Sequence, residues 1–156
     1  CHSHNRMEDT PKHIVAGKKG EDFAERLLRN KHYRIEARNW RLGHLEIDLI
    51  ASNKKDLVFV EVKTRSSYFG NKNPEEYVDD RKRSHLITAA NAYVKYHKTD
   101  KRIRFDLIGV MIDKDTLEVI DYNHIEDAFY PKSKTVSMNR NSSNWTGHRY
   151  NYTRKW

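Results

Sequence analysis

A chain of 156 residues, 37% apolar and 33% charged, suits one domain with a modest core but is too polar to pack throughout. The net charge of +8 is uneven, because residues 1–130 carry 24 Lys and Arg against 22 Asp and Glu, whereas residues 131–156 carry six cations and no acid. No apolar run approaches the roughly 18–20 residues that span a bilayer, and the single cysteine, Cys1, forms no internal disulfide, so we expect a cytoplasmic protein with no membrane partner.

The N-terminal part of the chain predicts a leader and a helix. Residues 1–13 are polar, and we expect a disordered leader ahead of a domain that spans residues 14–131. From about Val15 to His32, apolar residues recur at three- and four-residue spacing with charges between them. This pattern is typical of an amphipathic helix.

Glycines weaken the start of this helix. Gly17 and Gly20 both disfavour its first turn, so the stable helix is expected to begin near Gly20. Glu21 then lies in the first turn, where the helix dipole favours an acid. The alternative is that Glu21 points towards the acidic site described below.

Three predicted strands follow the helix. Tyr33–Arg41 alternates apolar and charged residues, which is typical of a half-exposed strand. After the short turn Leu42-Gly43-His44, the run Leu45–Ala51 predicts a second strand and an antiparallel hairpin. The β-branched run Leu57–Lys63 predicts a central strand that is covered on both faces.

The rest of the domain adds one helix and two strands. The helix is expected from about Val78 to His97, with strands at Ile103–Ile112 and Leu117–Asp121. His124–Phe129 predicts a short closing segment in which Phe129 is a plug. The order α-β-β-β-α-β-β indicates an α/β fold with one central mixed β-sheet flanked by helices.

After Pro131 the composition changes to Ser, Asn, Lys and Arg with few aliphatic residues. This change predicts that the C-terminal tail, residues 132–156, is disordered. Its aromatic residues are interleaved with cations such as Arg149 and Arg154, and such cations neutralise phosphates while aromatic rings stack on bases. The tail is therefore a candidate for binding single-stranded nucleic acid, and the alternative is a solvated appendage of low specificity.

Acids interrupt two of the apolar strands. Side chains two residues apart in a strand project from one face, which pairs Glu46 with Asp48 and Glu61 with Lys63. If the two strands pair as a hairpin, Asp48 and Glu61 converge on one point, where their charges repel. A hard divalent cation such as Mg²⁺, which prefers oxygen ligands, would relieve this repulsion. The structural alternatives are a Glu61–Lys63 ion pair and an Asp48–Arg65 pair.

Asp48 followed by Glu61-Val62-Lys63 resembles the PD-(D/E)XK signature of the restriction-endonuclease-like nuclease superfamily. A closer resemblance, over roughly residues 16–131, is to the YraN-like, endonuclease-like family of small bacterial proteins. The segments that carry it are Gly17-x-x-Gly20-Glu21, Ala37-Arg38-Asn39-Trp40-Arg41, Glu46–Ala51, Leu57–Arg65, Phe69-Gly70, Arg104-Phe105-Asp106 and His124–Phe129. One departure is Leu45, where the family has a glycine ahead of Glu-Ile-Asp.

The resemblance implies a restriction-endonuclease-like core in which Asp48 and Glu61 bind a metal ion and Lys63 is the catalytic lysine. It implies Mg²⁺ as the cofactor, with Mn²⁺ as a substitute. Related resolvase-type nucleases place a glutamate of the first helix near the metal, which corresponds to Glu21 here. Glu46 is the other candidate for a further ligand.

We therefore predict a Mg²⁺-dependent endonuclease that hydrolyses phosphodiester bonds in DNA. Arg65, Lys82 and Arg83 would contact flanking phosphates without reading the base sequence, and the alternative for each is a solvated basic face. Two other functions stay open: a nucleic-acid-binding module with weak or no catalysis, whose tail supplies most of the affinity, and a protein-interaction subunit. The oligomeric state is also open, a dimer included.

Overall fold

A computed structural model describes residues 11–66 and 78–129 of the chain. The elements are α1 (Lys12–Asn30), β1 (Arg34–Leu42), β2 (Leu45–Ser52), β3 (Asp56–Arg65), α2 (Asp80–His97), β4 (Arg102–Ile112) and β5 (Val119–Ile125). They confirm the α/β fold and the predicted order of elements. The predictions for residues 1–10, for Phe69-Gly70 and for the tail with Arg149 and Arg154 lie outside the described residues.

The five strands form one mixed sheet in the order β1-β2-β3-β4-β5. All neighbours are antiparallel except β3 and β4, which are parallel from Asp56↔Arg102 to Arg65↔Met111. Parallel neighbours need a long crossover, and the segment that contains α2 supplies it. β3 is central and is buried from Asp56 through Glu61, as predicted for a strand covered on both faces.

A hydrophobic core lies on each face of the sheet. On one face Ala24 and Leu28 of α1 pack in a cluster with Leu49, Val60 and Ile108. The cluster on the other face brings α2 against the sheet and includes Leu86, Tyr93, Phe59, Phe105 and Phe129. Phe129 stacks on Phe105 with ring centroids 5.1 Å apart, which agrees with its predicted place as a plug. Neither described helix has the length and apolar character that crossing a membrane requires.

Most bounds lie within two residues of the predicted ones, and two elements differ by more. α1 begins at Lys12, directly after Pro11, whose φ of −57° already suits a helix start, so the expected start near Gly20 is wrong. Glu21 therefore lies in the helix interior, and the dipole explanation for it is wrong as well. β5 continues to Ile125 because His124, which we expected in the closing segment, pairs with β4.

Gly20 is the point where α1 comes closest to the central strand. A Cβ atom at Gly20 would overlap the side-chain oxygen of Thr64 on β3. The glycine therefore allows α1 to lie against the sheet at this position. Because Glu21 is the next residue, this close contact also sets how near Glu21 comes to the C-terminal end of β3.

A buried polar network lies at the end of the sheet where β3 and β4 begin. Arg104 Nε donates to Asp106 Oδ1 at 2.9 Å, and Arg104 Nη1 donates to Asp56 Oδ2 at 2.9 Å. His124 Nε2 lies 2.8 Å from Asp106 Oδ2, and Lys31 Nζ lies 2.8 Å from His124 Nδ1. An ammonium group only donates, so Nδ1 accepts and Nε2 carries the proton that bonds Asp106. Buried Arg104 and Asp106 are thus paired and hydrogen-bonded.

The glycine contact predicts the effect of adding one methyl group to α1. Gly20→Ala should lower the free energy of unfolding by about 1–3 kcal/mol, because the new Cβ overlaps Thr64. Thr64→Ala in the same chain should recover part of that loss, because it removes the overlapping oxygen. Urea unfolding of the two single variants and the double variant measures both effects.

Gly17→Ala is the matched control, since it adds the same methyl group to the same helix. A Cβ at Gly17 would meet no atom within 4 Å. Without a clash, alanine is the better helix former, so this variant should gain up to about 1 kcal/mol. Equal effects of the two substitutions would contradict a specific contact between Gly20 and Thr64.

Candidate active site

Strands β2 and β3 separate at Asp48, and the aspartate side chain fills the fork. The paired residues of the two strands run from Ser52↔Leu57 to Leu49↔Val60. Beyond that pair, the Val62 N–H donates to Asp48 Oδ2 at 2.9 Å. A side-chain carboxylate therefore links the two strands where their backbone ladder stops.

Glu61 lies beside Asp48, in the last buried part of β3. Its side chain is only 4% exposed, and its Oε2 lies 3.5 Å from Lys63 Nζ and 3.6 Å from Lys82 Nζ. Glu61 Oε1 is buried and has no hydrogen-bond partner among the described residues. The predicted Glu61–Lys63 pair is therefore present, but it leaves half of the carboxylate unsatisfied.

Lys82 reaches this site from the first turn of α2. Asp79 caps that helix, because its side chain accepts the Lys82 N–H at 2.8 Å. The sequence suggested Lys82 only as a contact for flanking phosphates, whereas the structure places it directly on Glu61. Its spacing from Glu61 along the chain carries no periodic signal, so only the packing of α2 reveals the contact.

The buried position of Asp48 beside Glu61 changes the pKa of its carboxyl group. Burial first, and then the neighbouring charge of Glu61, raise the pKa of Asp48 from 3.8 to about 7. The Val62 hydrogen bond and the charge of Lys82 act in the opposite direction but do not cancel these effects. The strands therefore bring the two carboxylates together, and the charge of Glu61 disfavours the ionised form of Asp48.

Glu21 approaches the site from α1. Burial and the charge of Asp48 raise the pKa of Glu21, which shows that the two acids are close enough to interact. Arg38 Nη2 and Asn39 Nδ2 each donate to Glu21 Oε1 at 3.4 Å. Asn39 has φ of +53°, a left-handed conformation that asparagine tolerates. Sequence analysis did not give Arg38 and Asn39 this role, although both lie in a segment that matches the resembled family.

The other predicted site residues lie around this centre rather than in it. Glu46 Oε2 accepts from Arg41 Nε at 3.4 Å, and both side chains of this pair are partly exposed. Arg65 is exposed at the end of β3, and its Nη1 donates to the Thr64 carbonyl at 3.0 Å. Arg83 lies one residue after Lys82 and pairs with Asp80 at 3.1 Å.

The departure at Leu45 leaves the geometry of the turn intact. Leu45 begins β2 opposite Leu42, and the positive φ in this turn, +60°, is at Gly43 instead. A glycine is therefore not needed at position 45 for the strand to reach Asp48.

Two carboxylates with one unsatisfied oxygen fit a hard divalent cation. Within residues 11–66 and 78–129, no three His, Cys, Asp or Glu side chains form a ready-made metal cage. Mg²⁺ does not require one, because it is commonly bound through one or two carboxylates and keeps several waters. The unpartnered Glu61 Oε1 and the raised pKa of Asp48 are both features that a nearby positive charge would stabilise.

Comparisons with known proteins relate this chain to one group of bacterial proteins. The family described as "Uncharacterised protein family UPF0102" matches residues 20–110. A UPF0102 protein of Bacteroides thetaiotaomicron is 42% identical over 119 residues, which cover 76% of this chain and 95% of that protein. A UPF0102 protein of Flavobacterium psychrophilum is 42% identical over 119 residues, which cover 76% of this chain and 96% of that protein. One from Porphyromonas gingivalis is 44% identical over 103 residues, with 66% and 76% covered.

The raised pKa predicts how Asp48 affects stability in the absence of metal. A folded-state pKa above the unfolded value means that ionising Asp48 costs stability, so this contribution falls as pH rises from about 4 to about 7. Asp48→Asn removes the charge and keeps an oxygen that accepts the Val62 N–H. In EDTA at pH 8 it should raise the free energy of unfolding by about 1–3 kcal/mol, with a gain of about a third of that size at pH 5.

Urea unfolding at the two pH values tests this expectation. Glu118→Gln is the control, because it neutralises an exposed acid and should change stability little at either pH. A gain for Asp48→Asn that is the same at pH 5 and pH 8 would show that the repulsion between Asp48 and Glu61 is not its cause.

Proposed function

This chain belongs to the uncharacterised protein family UPF0102, the YraN family, as its sequence motifs predicted, and we propose that it is a metal-dependent nuclease that hydrolyses phosphodiester bonds in DNA. One observation supports this proposal above the others. Asp48 and Glu61 converge at a fork in the central sheet, with one buried carboxylate oxygen unsatisfied and two lysines beside it. An acid pair of this kind is costly for a structural role.

Asp48 and Glu61 are the residues that would hold Mg²⁺ or Mn²⁺. When bound, such an ion polarises a phosphate and lowers the pKa of a coordinated water. Glu21 is the candidate for a further ligand or a base, since its carboxylate interacts with Asp48. Glu46 is the weaker candidate, because its carboxylate is paired with Arg41.

Lys63 is the candidate for assisting the reaction itself. It shares the C-terminal end of β3 with Glu61, which holds its ammonium group at 3.5 Å. A cation in this position orients the attacking water and stabilises the charge that develops on the phosphate. Lys82 lies at almost the same distance from Glu61, so the site has two ammonium groups that can fulfil this role.

The cations around the site suit a charged polymer as the substrate. Arg65 ends β3, and Arg83 follows Lys82 on α2, so they lie on elements that flank the acid pair. Contacts from such residues to phosphates set the register of the strand without reading its bases. Arg149 and Arg154 in the tail would add phosphate contacts outside the described part of the chain.

Cleavage of supercoiled plasmid DNA with Mg²⁺ or Mn²⁺ tests the proposal. Glu61→Gln keeps the size of the side chain but removes its charge, and should lower the rate by about 100-fold or more. Lys63→Met should give a similar loss, because it removes the ammonium group and keeps an unbranched side chain. Glu118→Gln, far from the acid pair in sequence and exposed, should cut at the wild-type rate.

The result that would overturn the proposal is equally definite. If wild type, Glu61→Gln and Lys63→Met all show the same trace of cleavage, the activity is a contaminant. DNA binding that persists without any cleavage would then favour the nucleic-acid-binding module predicted as the alternative.

A further inference from the structure

A cleft of about 560 Å³ opens beside the acid pair, between the start of α1 and the C-terminal ends of β3 and β4. Glu21 and Lys63 are part of its wall, so the cleft is continuous with the site described above. Neither the acid pair nor the predicted phosphate contacts account for a recess of this size. Its volume lies within the range of about 300–1,000 Å³ that is typical of pockets for small organic molecules.

The cleft combines an apolar floor with a basic rim. Its apolar wall consists of Ala16, Val62, Ile112 and Leu117. The cations at its rim are Lys12, Lys63, Arg65 and Lys114, with His13 beside them. An apolar surface accepts a base and a sugar, and ammonium and guanidinium groups accept a phosphate, so the two parts together match one nucleotide.

Two of the cations at the rim, Lys12 and Lys114, are available to a ligand. Lys12 and Lys114 are exposed, and neither lies within ion-pair distance of a carboxylate in residues 11–66 and 78–129. The one acid in the wall, Glu21, is balanced by hydrogen bonds from Arg38 and Asn39. The cleft therefore attracts anions, although the domain as a whole is close to neutral.

We propose that this cleft binds one unpaired nucleotide of the DNA strand next to the scissile phosphate, so that the substrate is DNA with a single-stranded extension. The inference rests on the proposed nuclease function for the meaning of the adjacent acid pair. A volume of about 560 Å³ holds one nucleotide, which is about half the size of a base pair with its two backbones. The apolar floor gives no base-specific hydrogen bonds, so the preference is for strandedness rather than for sequence.

Binding without cleavage tests the assignment directly. The probes are a fluorescein-labelled blunt DNA hairpin and the same hairpin with a single-stranded thymidine extension, both in EDTA. Fluorescence anisotropy with the full chain should show binding of the extended hairpin about tenfold tighter than of the blunt one. Lys114→Ala and Lys12→Ala should each lose most of that preference and reduce the salt dependence of binding to the extended hairpin.

Two further variants distinguish binding in the cleft from non-specific electrostatic attraction to DNA. Ala16→Leu places bulk in the cleft and changes no charge, so it should remove the preference and leave blunt-hairpin binding unchanged. Lys54→Ala removes an equally exposed cation from the β2–β3 turn at the other end of the sheet. It should retain the preference in full.

The outcomes separate this inference from the function on which it rests. Equal affinity of wild type for both hairpins, or equal losses on both hairpins with Lys114→Ala, would overturn the cleft assignment. Cleavage with Mg²⁺ that is equally fast on blunt and extended hairpins would leave the nuclease proposal standing and reject the cleft. A preference that depends on Lys114 without any cleavage would keep the cleft and reject the nuclease.

Discussion

The hydrogen bond from the Val62 N–H to Asp48 Oδ2 is the constraint on which the site depends. Where β2 and β3 separate, a backbone donor would lose its partner, and the aspartate side chain replaces it. The same bond fixes the Asp48 carboxylate in a buried position beside Glu61. Geometry that satisfies the backbone thus brings two acids together, and the charge of Glu61 acts against ionisation of Asp48.

The two ends of the sheet use buried charge in opposite ways. In the buried network around Arg104 and Asp106, burial acts to raise the pKa of Asp106, but hydrogen bonds from His124 and Arg104 outweigh it and lower that pKa. Every charged side chain of this network has a partner. At the fork, burial and Glu61 raise the pKa of Asp48, and a Glu61 oxygen is unsatisfied. Buried polar groups that are all hydrogen-bonded are typical of structural networks, and buried polar groups without a partner are typical of ligand-binding sites.

Strand periodicity was enough to predict the sheet and the meeting of Asp48 with Glu61, because alternation and hairpin pairing are local rules. The start of α1 was missed because propensity penalised Gly17 and Gly20, whereas Gly20 is required by the packing against Thr64. Lys82 and Arg38 were not recognised as partners of the acids because they come from distant elements. Contacts across the sheet faces depend on tertiary packing, which no spacing in the chain encodes.

The parallel pairing of β3 with β4 has a consequence for the order in which the protein folds. This ladder pairs residues that are as distant in the chain as Asp56 and Arg102. We therefore expect it to form only after the segment that contains α2 has folded back onto the sheet. Pairing of such distant segments is slow compared with that of the β1–β2–β3 hairpins. A nascent chain can therefore build the fork that contains Asp48 well before Lys82 reaches Glu61. We therefore expect the assembled charge cluster to form late in folding and to be absent from partly folded chains.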